Sequence, residues 1–123
     1  MKKHFKTVKE DVIEDYLVKR MGVLGGLCIK GNPKNNRGMT DRICIMSHGL
    51  VIFVECKRPG RSPRANQKYY IKKLQARGHH ALSVSTHSGV DALYNWILDY
   101  QKKFKMVKRK AECKEPFCDK RWV

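Results

Sequence analysis

Val51-Ile52-Phe53-Val54-Glu55-Cys56-Lys57 is a run of β-branched and apolar residues that ends in opposite charges two positions apart. Side chains alternate faces along a strand, so Glu55 and Lys57 point the same way, beside Val51 and Phe53. Upstream, Asp41-Arg42-Ile43-Cys44-Ile45-Met46 reads as a second strand, with Ser47-His48-Gly49 as the turn between them. Asp41 shares a face with Ile43 and Ile45. Paired as a hairpin, the two strands bring Asp41, Glu55 and Lys57 together at the end away from the turn. Isolated buried carboxylates are costly unless paired, protonated or bound to a metal. A bare E-x-K is often only a solvated strand end with an ion pair. Here the apolar run before it, Asp41 on the partner strand and the following Arg58-Pro59-Gly60 favour a divalent-metal site with a lysine beside it.

Outward from this hairpin the chain alternates helices and strands. Ile13, Tyr16, Leu17, Met21 and Leu24 recur at helical spacing, which predicts a helix from Thr7 to about Gly25. Thr7 and Glu10 have capping-box spacing, and Gly25-Gly26 is a stop signal. Gly26 to Lys30 reads as a short strand, and residues 32–38 as a polar, basic loop. After the hairpin, Ser62-Pro63 predicts a helix start with Ser as N-cap and Pro at the first helical position, running to about Arg77. His79 to Ser85 reads as a fourth strand and Ser88 to about Lys105 as a third helix. The resulting order is αβββαβα: an α/β fold in one domain over residues 1–105, followed by a basic, apolar-poor tail over residues 106–123.

The 123 residues include 27 Lys and Arg against 11 Asp and Glu, a formal net charge of +16. With 41% hydrophobic residues and regular apolar periodicity, the chain is folded rather than a disordered basic arm. A polyanionic partner explains such self-repulsion, because counterions displaced from phosphates drive binding. No single helix carries the basic residues opposite a wide apolar face, which disfavours a membrane surface, and no run approaches the ~18 apolar residues of a membrane span. The start is basic but lacks an apolar signal core, and Cys28, Cys44 and Cys56 sit in apolar runs as small hydrophobes. A reducing, cytoplasmic setting is expected.

Metal-assisted phosphodiester hydrolysis needs hard oxygen ligands and a cation near the attacking water or the developing phosphate charge. Asp41 and Glu55 supply the first and Lys57 the second. Glu10 and Glu14 lie one helical turn apart along the inward stripe of the first helix; either reaches toward the same end of the sheet, and Glu10 is preferred. Their ordinary role would be to complement the helix dipole. Gln67 stands in line with Ile71 and Leu74, placing an amide on an apolar stripe near the helix start, where a water-satisfied boundary position is the plain alternative. Arg42, Arg58, Arg61, Arg64 and Lys68 cluster in sequence around these residues, and Lys34 and Arg37 lie in the basic loop. As a group they suit phosphate-backbone contacts. His79-His80 is a further candidate for the site wall. Cys113 and Cys118 lack the partners of a zinc site.

Gly38-Met39-Thr40-Asp41-Arg42, Val54-Glu55-Cys56-Lys57-Arg58-Pro59-Gly60, Pro63-Arg64-Ala65-Asn66-Gln67 and Gly78-His79-His80-Ala81-Leu82 together resemble the VRR-NUC family, the virus-type replication–repair nucleases of the PD-(D/E)xK superfamily. The likeness runs from about Glu10 to Leu93. It implies a restriction-endonuclease-like αβββαβ core, with a mixed sheet flanked by helices, and a Mg²⁺- or Mn²⁺-dependent DNA endonuclease. Under it, Glu10 (with Glu14 the alternative), Asp41 and Glu55 are the metal ligands, and Lys57 and Gln67 complete the catalytic set. Thr40 replaces the proline of the superfamily motif at a position that is not a ligand. Stand-alone members of this size resemble junction resolvases, which implies a homodimer acting on branched DNA such as Holliday junctions and leaving a 5′-phosphate and a 3′-hydroxyl. A monomeric nicking or flap nuclease, or a non-catalytic nucleic-acid-binding module, are the alternatives.

Overall fold

The computed structural model describes residues 9–31 and 38–108. Helix α1 spans Glu10–Val23, strand β1 Leu27–Lys30, β2 Arg42–Ile45 and β3 Val51–Cys56. Helix α2 spans Ala65–Ala76, strand β4 His80–Val84 and helix α3 His87–Lys108. The strands form one mixed sheet in the order β1-β2-β3-β4. The first three pair antiparallel, and β4 runs parallel to β3 after the α2 crossover. This is the expected restriction-endonuclease-like α/β core.

Alternation along β3 decides which residues enter the core. Ile52, Val54 and Cys56 are fully or almost fully buried and meet Cys44 and Met46 of the neighbouring chain segment. Ile13, Leu17 and Met21 of α1 close over them at four-residue steps, and Val90, Leu93 and Ile97 of α3 pack into the same core at steps of three and four. The opposite sheet face, which carries Val51, Phe53 and Glu55, receives α2 only toward β4. Leu27, Ile29 and Ile45 on that side remain exposed. Among the described residues no helix is long and apolar enough to cross a membrane.

Element boundaries depart from expectation in three places. Helix α1 begins at Glu10 with Lys9 at its N-cap and no side-chain cap. Glu10 is therefore the first helical residue rather than the third of a capping box; Thr7 lies outside the described residues. The other end is as expected: the amides of Gly25 and Gly26 bond to the Gly22 and Met21 carbonyls, with Gly25 in the left-handed region at φ 76°. Helix α2 starts at Ala65 rather than Pro63, because the Gln67 side chain accepts the Arg64 amide and caps the helix from within. Helix α3 continues to Lys108, past the expected boundary at Lys105. Of the tail expected over residues 106–123, residues 109–123, with Cys113 and Cys118, lie outside the described residues.

Candidate active site

The hairpin register sets the centre of the site. Arg42 pairs with Val54 and Ile43 with Phe53, so Asp41, one residue before β2, falls opposite Glu55. Asp41 is anchored twice. Its Oδ2 accepts the Cys56 amide at 2.9 Å, and its carbonyl accepts the Gly31 amide at 2.8 Å. The second bond exists because Gly31 has no side chain: a Cβ there would stand 2.1 Å from the Thr40 carbonyl oxygen. Backbone cannot yield as a side-chain tip does. Gly31→Ala is therefore expected to cost about 1–3 kcal/mol, read as a lowered melting temperature, although it alters no site side chain. An unchanged melting point would mean that this strand junction relaxes freely. Thr40 is buried beside it, its hydroxyl donating to the Arg42 carbonyl.

Glu55 is 1% exposed. Its Oε1 accepts the Gln67 amide Nε2 at 3.1 Å and stands 3.7 Å from Lys57 Nζ. Its Oε2 is buried with no hydrogen-bond donor among the described residues. Burial pushes the carboxyl up to about 9; a hydrogen bond to Asp41 and that residue's negative charge push the same way, and Lys57 opposes them. Buried beside a second carboxylate, Glu55 therefore favours its protonated form or an equivalent positive charge placed next to it.

Gln67 is held at both ends: its Oε1 takes the Arg64 amide at 2.8 Å while its Nε2 reaches Glu55. Lys57 lies just past β3, its amide bonded to the Val84 carbonyl, and its ammonium stands 3.9 Å from Glu10 Oε1. The structure thus brings Glu10, Asp41, Glu55, Lys57 and Gln67 together. Among the described residues, however, no three His, Cys, Asp or Glu side chains are close enough to form a ready cation site. Asp41 and Glu55 form the close pair, and Glu10 meets Lys57.

Beside this group opens a cleft of about 530 Å³ lined by Glu10, Lys57, Arg58, Arg61 and Arg64, together with Lys9, Asp11 and Ser62, which sequence reasoning did not single out as site residues. The signal for Lys9 and Asp11 is adjacency to Glu10. Lys68 is exposed on α2, outside the cleft lining, and Lys34 and Arg37 lie outside the described residues. Arg42 requires a correction. It projects to the α1 face, where its Nε donates to Glu14 at 2.6 Å and its Nη1 to the Cys28 carbonyl at 3.5 Å. That partnership commits Arg42 and Glu14 to the helix–sheet contact, so Arg42 does not face a phosphate groove. The histidine pair is also displaced. Because β4 is parallel to β3, His80 pairs with Ile52, four positions before Cys56, and His79 packs edge-on to Phe53.

A mixed four-stranded sheet that gathers two carboxylates, a lysine and a glutamine beside an arginine-lined cleft has the architecture of restriction-endonuclease-like nucleases. Over 77 residues the chain is 36% identical to a protein named "Putative nuclease p44" of Acyrthosiphon pisum secondary endosymbiont phage 1, covering 63% of this chain and 83% of that one. A solved structure described as "VRR_NUC domain" superposes with a TM-score of 0.66 at 26% identity, over 72% of this chain and 97% of that one. No protein-family model matches. The chain belongs to the VRR-NUC family of nucleases.

Proposed function

We propose that this protein is a divalent-metal-dependent endonuclease that hydrolyses phosphodiester bonds of branched DNA, four-way junctions among them, as a homodimer. The observation that carries the reading is the buried Asp41–Glu55 pair, which demands positive charge and borders a cleft lined by Arg58, Arg61 and Arg64. A pure polyanion binder gains nothing from two acids there, since they repel the phosphates.

The donor set fits Mg²⁺ or Mn²⁺: hard carboxylate oxygens, one of them the Glu55 Oε2 that lacks a donor. Asp41 and Glu55 would hold the ion, with Glu10 contributing across the cleft, and the ion supplies positive charge against that developing on the reacting phosphate. Lys57 orients the attacking water, its ammonium steadied between Glu55 and Glu10. Gln67 keeps Glu55 in one rotamer, because its own amide is fixed by the Arg64 backbone. Arg58, Arg61 and Arg64 hold the flanking phosphates. The exposed apolar row of Leu27, Ile29 and Ile45 supports self-association, and a paired protein presents two sites to two strands.

The test is a cleavage panel of four-way junction, flap, splayed and linear duplex DNA in Mg²⁺, in Mn²⁺ and in chelator, with the mass measured in solution. Cutting of branched forms ahead of linear duplex, only with metal, by a particle of two chains is the expected result. Binding without cutting of any form would reduce the protein to a binding module. A single-chain particle that cuts only flaps would make it the monomeric alternative.

A further inference from the structure

Helix α2 leads away from the cleft, and its outer surface has a composition that the proposed chemistry does not use. From Arg64 at the cleft, steps of four reach Lys68 and Lys72, while the adjacent stripe is Tyr69, Lys73 and Arg77. No acid interrupts either stripe. Tyr70 is half-buried and Ile71 buried, so these two residues seat the helix. Tyr69 is 56% exposed and takes no part in the core. Its ring lies edge-on to Tyr70 at 5.8 Å, and Lys73 Nζ stands 5.2 Å from its centroid. Together with Leu74 and Arg77 these residues line a hollow of about 340 Å³. An aromatic ring exposed among cations, over an apolar floor, suits a base stacked beside its own phosphate. A paired base has both faces covered in the helix stack and has no use for such a ring.

We infer that the outer face of α2 is a binding subsite for an unpaired nucleotide of the DNA strand that continues from the cleft: Tyr69 stacks on the base, and Lys68 and Lys73 hold phosphates. The inference rests on the nuclease reading above and deepens it, since it favours branched DNA that carries an unpaired strand over linear duplex. Along the helix axis, Gln67 and Arg77 lie roughly 15 Å apart, the reach of a few nucleotides.

The experiment measures binding of labelled splayed-arm DNA and of the matching full duplex in chelator, for wild type, Tyr69→Ala, Tyr69→Phe and Lys68→Gln/Lys73→Gln, each checked by thermal melting. Tyr69→Ala should weaken splayed-arm binding by about 5- to 100-fold, leave the duplex unchanged, and be rescued by Tyr69→Phe. The lysine double variant should lower the salt dependence of splayed-arm binding by a slope of about 1.4. Equal loss on both DNAs with a normal melt, or no loss on the splayed arm, overturns the subsite. Metal-dependent cutting by the wild type, assayed in parallel, separates the two ideas. Cutting with no Tyr69 effect removes the subsite alone, whereas a Tyr69-dependent preference without cutting removes the nuclease reading and leaves the subsite.

Discussion

Lys57→Ala is expected to slow DNA cleavage by about 10²- to 10⁴-fold while DNA binding survives. The side chain is 10% exposed, and its ammonium stands 3.7 Å from Glu55 Oε1 and 3.9 Å from Glu10 Oε1. Two acids from different elements thus hold one cation at the mouth of the cleft. Such a lysine has lost the side-chain freedom of a surface residue and can orient a water without further ordering. Binding depends instead on the many exposed cations, of which Lys57 is not one. Comparing cleavage rates and binding of the same DNA in wild type and variant separates the two roles. Cutting at the wild-type rate would remove Lys57 from the mechanism, and a parallel loss of binding would make it a phosphate anchor.

Glu55→Gln should stabilise the metal-free protein, and more so as pH rises. The folded state holds the Glu55 proton up to about 9, against an ordinary value of 4.5. Below pH 4.5 both folded and unfolded states are protonated, and the group contributes no difference. Between about 4.5 and 9 the unfolded chain ionises while the folded chain keeps its proton, so stability falls as pH rises through this window. It levels off above it. At pH 7.5 the accumulated cost is roughly 4 kcal/mol, which corresponds to a melting shift on the order of 15 °C. Glutamine is isosteric, can still accept the Gln67 amide, and offers Asp41 a permanent donor. In chelator the variant should therefore melt well above wild type at pH 7.5 and level with it near pH 4.5. Mg²⁺ or Mn²⁺ should raise the wild-type melting point and leave the variant little changed. A variant that melts below wild type at pH 7.5 would show that ionised Glu55 is already satisfied without metal.

The strand assignments were legible because the hairpin repeats a simple alternation. Ile52, Val54 and Cys56 point one way, Val51, Phe53 and Glu55 the other, and a one-residue slip would drive the carboxylate into the packed face. Pairing of Asp41 with Glu55 followed from that alternation plus a short turn. Helix boundaries were less legible, because competing signals lay within a few residues of each other or a partner lay far away in sequence. At α2 the local cap from Gln67 to Arg64, three residues apart, prevailed over the Ser62-Pro63 start. At α1 the first helical residue, Glu10, faces Lys57 across the cleft, a partner that its neighbours in sequence do not reveal.

Chain order alone therefore determined the class of fold, the face on which Asp41, Glu55 and Lys57 stand, and the excess of positive charge. All of these depend on periodicity and composition, which are local or additive properties. Tertiary structure decided the rest. It chose Arg42 as partner of Glu14, leaving Glu10 over Lys57. It set His79 and His80 at the other end of the sheet by running β4 parallel to β3. It also buried Glu55 deeply enough to change its protonation. The physical reason is the same in each case: the outcome depends on which charges share a low-dielectric space, and that is a distance between segments rather than a property of either one.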